Sequence, residues 1–438
     1  ARIRLRSLLA ALKRKIPVAY QEIKLQPRPR FTANCKKTHT ILAPQMAPIH
    51  FDLIQAVLKK YGYRVEIPPL PDRAAIDLGL RYVNNDMCYP AIVVIGQLLS
   101  ALKSGDYDVD NTSIVLFQTC GACRATNYIS VLRRALKFAG FGQVPVFACY
   151  GLETDDFVLS NDCLIDAIKA AIYGDLLMNV SNRMRPYELR RGETDRLFED
   201  CMTLAKADLL GGNYLTFRRN VRNFVAQFDK IQIDESLEKP KVGIVGEILV
   251  KYHPVANNQL EKVLEAEGAE VIMPDLADFF LYSAYDSISR QKLLGGSRKD
   301  KLFGEIFIQF MEFFRLPMKN ALKDSKHFRA PYSIKETAKL AARHVSTGNM
   351  AGEGWFLTGE MVKLIEEGVD NIVCLQPFGC LPNHITGKGV MHNLRESYSG
   401  ANIVAIDCDA GSSEVNQLNR IKLMLAVAKK SLTKNQAS

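Results

Sequence analysis

Short apolar runs alternate with stretches of helical periodicity along most of the chain. The runs THTILAP and PVFACY are typical of buried strands, and apolar residues recur at helical spacing from Ile49 to Tyr61, where Gly62 ends the pattern. The predicted strands here are 38–44, 63–68, 112–119 and 145–150, and the predicted helices are 49–61, 90–103 and 124–139. Because strands that alternate with helices form parallel sheets, this part predicts an α/β domain.

The same alternation returns in the second part of the chain. Strands are predicted at 241–248, 269–275, 371–377 and 402–409, and helices at 257–267 and 412–430, with a long helical stretch at 276–346. Between the two parts the chain is charged and helical in character. We therefore expect a basic arm at 1–37, a first α/β domain at 38–154, a helical connector at 155–238 and a second α/β domain at 239–438.

The two α/β parts also resemble each other residue by residue. Each begins with a strand, a loop containing His and Pro, a helix, a Gly and a second strand, which places His50 and His253 in similar loops. Further on, Gln118, Cys123 and Asn127 match Gln376, Cys380 and Asn383. The repeat predicts two related parallel-sheet domains. Each offers a cysteine at the carboxyl end of a strand, where ligands of open α/β sheets bind.

The net charge of +10 is concentrated at the start of the chain. Residues 1–37 hold eleven Lys and Arg and one acid, Glu22, so they alone account for +10. This arm could contact RNA, an acidic partner or a neighbouring subunit, but no nucleic-acid-binding motif supports the first option. We expect a docking arm or linker, no secretory signal peptide and, since no apolar run reaches 18 residues, no transmembrane helix.

Three of the ten cysteines share one sequence setting, the start of a predicted helix. Cys88 precedes Pro90 after a candidate cap at Asn85 or Asp86, and Cys123 and Cys380 each follow a strand and precede a helix. A helix N-terminus lowers a thiol pKa, and the thiolate is the form that binds iron. We therefore expect Cys88, Cys123 and Cys380 to hold an oxygen-sensitive iron–sulfur cluster between the two domains.

Cys120 stands three residues before Cys123 and is a candidate fourth ligand. This C-x-x-C pair alone could instead be a redox dithiol or half of a zinc site, although a second pair and a His-rich segment are missing from the sequence. Without obvious secretion signals, the cysteines favour a reducing, cytoplasmic compartment. We expect Cys149, Cys163, Cys201 and Cys374 to be ordinary core residues.

Other candidate residues carry weaker signals. His384 lies near Cys380 and could relay protons, and His50 and His253 could line the same cleft as candidate catalytic residues. For each histidine a structural role is an equal alternative. The Gly-rich segment GEGWFLTGEM (352–361) could shape a substrate loop, but it is not a phosphate-binding motif.

Several long motifs resemble those of one known group. NNDMCYPAIVVIGQLL, QTCGACRATNY, GIVGEILVKYHPVANNQL, GEGWFLTGEM, PFGCLPNHITGKGV and DAGSSEVNQLNRIKLML together resemble the 2-hydroxyacyl-CoA dehydratase / benzoyl-CoA reductase superfamily. They are most similar to the carboxyl-terminal region of large CoA-enzyme-activase-like proteins and to double-cubane cluster proteins. The resemblance extends over nearly all of the chain from about residue 38.

The resemblance implies flavodoxin-like domains with a [4Fe–4S] cluster between them, or part of a double cubane, on Cys88, Cys123 and Cys380. It also implies a partner, an ATP-hydrolysing activator with its own [4Fe–4S] cluster that donates low-potential electrons. The expected function is then an anaerobic iron–sulfur reductase- or dehydratase-type component of a homo- or hetero-oligomer, acting on a small substrate. The alternative is a non-catalytic electron-transfer or scaffold subunit of a larger iron–sulfur complex.

Two positions depart from the pattern of the group. Cys120 and Cys408 stand where related sequences often have Gly and Tyr. If Cys120 is a ligand, it would close the open iron and favour electron transfer over substrate binding at the metal. The ATPase motifs of the activator are not present in the sequence, and nothing in it identifies a CoA pocket.

Overall fold

Two four-stranded, all-parallel sheets form the framework of the protein. The computed structural model describes residues 28–84, 87–119, 121–149 and 154–436. The first sheet contains β1 (Thr40–Leu42), β2 (Val65–Glu66), β3 (Thr112–Leu116) and β4 (Val146–Ala148), and the second contains β5 (Lys241–Gly246), β6 (Glu270–Ile272), β7 (Asn371–Pro377) and β8 (Asn402–Cys408). The strand orders, β2-β1-β3-β4 and β6-β5-β7-β8, are equivalent. The predicted α/β class with two related, flavodoxin-like parallel sheets is confirmed.

Five α-helices accompany the first sheet. They are α1 (Cys35–Thr38), α2 (Pro48–Lys60), α3 (Arg73–Tyr82), α4 (Tyr89–Ser104) and α5 (Tyr128–Ala139). Helix α3 is not among the predicted elements, because its buried face consists of small residues, Ala75 and Gly79, beside Ile76. It begins where the Asp72 carboxylate accepts a 2.8 Å hydrogen bond from the Ala75 amide.

Helices α3 and α4 pack in close backbone contact. A Cβ added at Gly79 would lie 2.2 Å from the Ile92 carbonyl oxygen, and one added at Gly96 would lie 2.1 Å from that of Ala75. Only glycine at these two positions permits such an approach. The contact fixes α4, whose first turn carries Cys88, against the rest of the first domain.

A helical segment with its own apolar core follows the first sheet. It comprises α6 (Asn161–Met184), α7 (Glu193–Gly211) and α8 (Tyr214–Phe228), which agrees with the helical character expected for 155–238. Tyr173 of α6 packs against Phe217 and Phe224 of α8, with ring centroids 5.0 and 5.6 Å apart. These buried aromatic contacts give the segment a core beside those of the two sheets.

Nine further helices complete the second half of the described chain. They are α9 (Ile248–Tyr252), α10 (Leu260–Ala266), α11 (Leu276–Leu294), α12 (Arg298–Lys323), α13 (Ile334–Ala341), α14 (Gly354–Glu366), α15 (Leu381–Thr386), α16 (Met391–Ser397) and α17 (Glu414–Gln436). The predicted helical stretch 276–346 is therefore three helices. Gly295, with φ of +67°, ends α11, and the residues between Lys323 and Ile334 separate the other two.

The segment GEGWFLTGEM is mostly helix, which corrects the expectation of a substrate loop. Trp355 and Phe356 in the first turn of α14 are buried against Tyr282 of α11. The Gly residues fit tight turns, since Gly352 and Gly354 have φ of +59° and +46°. No helix in the described ranges is long and apolar enough to cross a membrane.

Candidate functional site

The three candidate cysteines are the N-cap residues of three helical elements. Cys88 caps α4 and Cys380 caps α15, each with a Pro in the first turn, and Cys123 caps the 3-10 helix Arg124–Asn127 that leads into α5. Each thiol therefore stands beside the free amide groups of a first turn. Asn85, Asp86 and Cys120 lie outside the described residues, as does most of the basic arm, and the cap of α4 is Cys88 itself.

Two of the thiols have a polar partner from a neighbouring residue. The Sγ of Cys88 lies 2.8 Å from the Tyr128 hydroxyl oxygen, which joins the start of α4 to the start of α5. The Nδ2 of Asn383 donates to the Sγ of Cys380 at 3.2 Å. Donors of this kind stabilise a thiolate and would orient a sulfur ligand.

Burial raises the thiol pKa values, against the lowering expected from the helix N-termini. The pKa of Cys88 rises to about 11 and that of Cys380 to about 12, and the pKa of Cys123 is also raised. Loss of water is the largest cause, and repulsion from Glu247 and Glu353 adds to it. Backbone amides at the helix starts do lower the pKa of each thiol, as the sequence setting predicts, but burial outweighs them and the net shift is upward.

Glu247 and Glu353 are the acidic residues that the sequence interpretation missed. Glu247 follows β5, and its Oε2 accepts a 2.8 Å hydrogen bond from the Val250 amide at the start of α9. Glu353 precedes α14, and its Oε1 accepts from the Ile248 amide at 3.0 Å. Burial raises the pKa of Glu247 to about 8, and it also raises the pKa of Glu353.

Both carboxyl groups lie in the second domain, yet they act on thiols of the first. Glu247 contributes to the raised pKa of Cys88, and Glu353 and Glu247 to that of Cys123. The same two residues raise the pKa of Cys380. The carboxyl ends of the two sheets therefore face a shared, acid-rich region.

Positive charge is scarce in this region. Neither Glu247 nor Glu353 forms an ion pair with Lys or Arg in the described part of the chain. Lys251 lowers the pKa of both, but its ammonium group is bound 2.9 Å from the buried Glu360 carboxylate. The pKa values of all three thiols thus respond to Glu247, and within the described chain no ion pair with Lys or Arg offsets its charge.

Three amide oxygens in the strand-end segments have no hydrogen-bond donor among the described residues. They are Gln118 Oε1, Gln376 Oε1 and Asn383 Oδ1, all of them buried atoms. Gln118 and Gln376 are counterparts in the repeat, and Asn383 contacts Cys380. Buried polar atoms normally have partners, so these oxygens fit a site that receives a ligand with hydrogen-bond donors.

Cysteine thiols are the donor type that iron–sulfur clusters use. No three His, Cys, Asp or Glu side chains within the described ranges are grouped so as to hold one metal ion. In a cluster each thiolate binds a different iron, so the sulfurs need not converge on one point. Cys88, Cys123 and Cys380 therefore suit the group in ligand type and in their helix N-terminal setting.

The candidate histidines differ in their surroundings. His50 lies in the first turn of α2, buried, with Nε2 2.9 Å from Asp175 Oδ1 of α6. His253 follows α9 and is fully buried, and burial lowers its pKa to about 4. His384 is partly exposed in α15, where its Nδ1 lies 2.8 Å from the Cys380 carbonyl oxygen. Of these three histidines, only His384 lies on a helix whose N-cap residue is a candidate ligand, Cys380.

The remaining cysteines are mostly core residues. Cys163, Cys201 and Cys374 are fully buried, whereas Cys149, just after β4, is partly exposed. The nine described cysteines are all free thiols. The prediction of four core cysteines therefore holds for three of them, which are fully buried, and Cys149 is the exception.

No family model matches the chain, and a search of curated proteins also finds no match. The superfamily resemblance therefore rests on the motifs quoted above. Two of these motifs, GIVGEILVKYHPVANNQL and GEGWFLTGEM, contain Glu247 and Glu353. That position within the motifs is the signal by which the two acids could have been found.

Proposed function

We propose that this chain is the iron–sulfur component of a reductase or dehydratase related to the 2-hydroxyacyl-CoA dehydratase / benzoyl-CoA reductase superfamily. Cys88, Cys123 and Cys380 would hold the [4Fe–4S] cluster, alone or as part of a double cubane. An ATP-hydrolysing activator would supply low-potential electrons. The observation that carries the proposal is the set of three N-cap thiols from two domains that share Glu247 as a neighbour, two of them with Glu353 as well.

The cluster, when bound, would supply one-electron chemistry at low potential. The residues of the chain then have separate tasks around it. The Tyr128 hydroxyl and the Asn383 amide would orient Cys88 and Cys380 through their contacts with the two sulfurs. These contacts would also restrict the side-chain conformations of Cys88 and Cys380.

Glu247 would control a proton near the substrate, and Glu353 would hold the surrounding segments in place. The raised pKa of Glu247, about 8, keeps a proton on its carboxyl group at neutral pH in the metal-free chain. Glu353 holds the loop at Ile248 and the helix at Asn383 together through its two oxygens. The unpartnered amide oxygens of Gln118 and Gln376 would receive donors from a small substrate.

The hypothesis that the chain is catalytic can be tested by measuring whether small ligands change the EPR spectrum of the cluster. Protein purified without oxygen is reduced, and its EPR spectrum is recorded with and without acetylene or an acyl-CoA. If the chain is a reductase, we expect a small ligand to change the EPR signal of the cluster. We also expect Glu247→Gln to keep the cluster while abolishing turnover. A signal that never responds would leave the electron-transfer alternative, in which Cys120 closes the cluster.

A further inference from the structure

A cavity of about 320 Å³ lies along the edge strand β6, away from the cysteines. Helix α6, the segment 326–331 and the end of α14 form its other walls. Lys241 and Glu270, which line it, are the first residues of β5 and β6. The lining runs along the whole of β6 and on to Asp275, and the described residues that line it do not include the three candidate cysteines, Glu247 or Glu353. The volume is in the range of small-molecule sites.

Three lysines line this cavity without an ion-pair partner. In the ranges that the structure describes, no carboxylate lies within ion-pair distance of Lys241, Lys326 or Lys363. Two arginines stand beside them in the wall, Arg183 and Arg329. Arg183 already pairs with Glu270 at 3.3 Å, and Arg329 donates to the Glu367 carbonyl oxygen at 2.8 Å, so the three lysines are the groups best placed to bind an anion.

Lys363 is the most informative of the three. It is only 9% exposed, and within the described chain its ammonium group forms no ion pair but lies 5.5 Å from the centroid of the Tyr332 ring. Burial opposes its charge, but the more distant carboxylates of Asp278 and Glu367 outweigh burial and raise the pKa of Lys363. Lys363 therefore carries its charge at neutral pH with no carboxylate in direct contact in the described chain, so its ammonium group can bind an anion in the cavity.

The acidic residues of the wall form no ion pair with these lysines in the described chain. The Glu270 carboxylate accepts from the Tyr187 hydroxyl at 2.7 Å and from Arg183 at 3.3 Å. Asp275 accepts from Asn179 at 2.6 Å and from the buried Arg315 at 2.8 Å. These two acids are engaged by other donors. The third, Glu367, has a pKa raised by burial, and in the described chain it forms no ion pair with the three lysines.

The rest of the wall is apolar. Met273, Phe328 and Pro331 line the cavity next to the basic groups. A ligand that satisfies both parts needs a multiply charged anionic group and an apolar or aromatic remainder. Phosphate carries enough charge for several ammonium groups, and lysine is a regular phosphate ligand.

We propose that this cavity binds a small organic phosphate, whose phosphate group lies among Lys363, Lys241 and Lys326 and whose remainder packs on Phe328. The site is separate from the cysteine site, so it stands whether or not the cluster proposal holds.

Isothermal titration calorimetry on the full chain, at constant ionic strength, tests this site. Phenyl phosphate serves as the probe, with phenol as the uncharged comparison. We expect phenyl phosphate to bind with a Kd of about 1 mM or tighter and phenol not to bind. Lys363→Met should weaken phenyl phosphate binding about tenfold or more, because a charge-assisted contact is lost.

Two further variants keep the test independent of folding. Lys241→Gln alters a partly exposed residue and should also weaken binding severalfold without unfolding the chain. Lys422→Met removes a surface lysine that pairs with Glu267, and it should leave binding unchanged. Failure of phenyl phosphate to bind, or equal binding by the wild type, Lys363→Met and Lys241→Gln, would overturn the proposal.

Discussion

The Nδ2 of Asn383 donates to the Oε2 of Glu353 at 2.7 Å, and the same nitrogen lies 3.2 Å from the Sγ of Cys380. A buried carboxyl group thus positions the amide that contacts a candidate ligand. The other oxygen of Glu353 accepts from the Ile248 amide, so the residue ties α15 to the loop after β5. Glu353 therefore couples the stability of the second domain to the orientation of Cys380.

Removing the Glu353 side chain should destabilise the protein. Glu353→Ala leaves the Ile248 amide and the Asn383 Nδ2 without their acceptor in a buried place, which should lower the free energy of unfolding by about 2–4 kcal/mol. Urea denaturation of the metal-free chain at pH 7 measures this. Glu305→Ala, which removes an exposed carboxylate, is the control and should change stability by less than about 0.5 kcal/mol. Similar losses in both variants would contradict the role assigned to Glu353.

The buried pair of Asp286 and Trp355 should give a pH dependence of stability. The Trp355 indole N–H donates to Asp286 Oδ1 at 3.0 Å, and burial raises the pKa of Asp286 from 3.8 to about 7. Between these pH values the folded chain holds a proton that the unfolded chain has lost. Its contribution to stability is therefore complete below about pH 4 and is lost as pH rises through 7, at no more than about 1.4 kcal/mol per pH unit.

Denaturation from pH 4 to pH 7 compares the wild type with Asp286→Asn. The variant keeps an acceptor for Trp355 but has no carboxyl group to titrate. The stability advantage of the wild type over Asp286→Asn should shrink as pH rises across this window. Glu305→Gln serves as an exposed control and should follow the wild-type curve in shape. Parallel curves for the wild type and Asp286→Asn would show that Asp286 does not hold the proton.

The alternation of strands and helices was sufficient to predict two parallel sheets, because each strand carries its own apolar run. Helix α3 was missed since its buried face is made of small residues that give almost no hydrophobic pattern. The N-terminal setting of the three cysteines was also predictable, because Pro90 and Pro382 are local signals.

Properties that depend on distant contacts could not be predicted in the same way. The raised pKa of Cys88 depends on burial and on Glu247, which is far away in sequence. The pairing of Glu353 with Asn383 depends on the packing of α14 against α15. Burial and long-range neighbours therefore set the chemistry of the site, while the local pattern determines where the helices begin.

Close packing of α4 can be tested at Gly96. A Cβ there would lie 2.1 Å from the Ala75 carbonyl oxygen, so Gly96→Ala must separate α3 from α4 and should cost about 2–4 kcal/mol. Gly211→Ala, at the end of α7 where a Cβ meets nothing within 4 Å, is the matched control. It should be neutral or stabilising by up to about 1 kcal/mol. Thermal unfolding of both variants measures the difference, and an equally mild Gly96→Ala would contradict the packing.

Substitution of the three N-cap cysteines should remove the cluster. Cys88→Ser, Cys123→Ser and Cys380→Ser each replace a thiolate ligand, so iron and sulfide content should fall by more than half in each. Cys163→Ser and Cys201→Ser change buried core residues and should retain the metal content of the wild type. Circular dichroism checks that every variant is folded. Equal loss in all five would mean that the ligands have been misassigned.

Metal content of the wild type tests the central claim most directly. The protein is purified without oxygen, and iron, acid-labile sulfide and zinc are measured on the same sample as the EPR spectrum. We predict about four iron and four sulfide per chain, with an EPR signal on reduction and no stoichiometric zinc. Stoichiometric zinc without iron, in protein never exposed to oxygen, would contradict it.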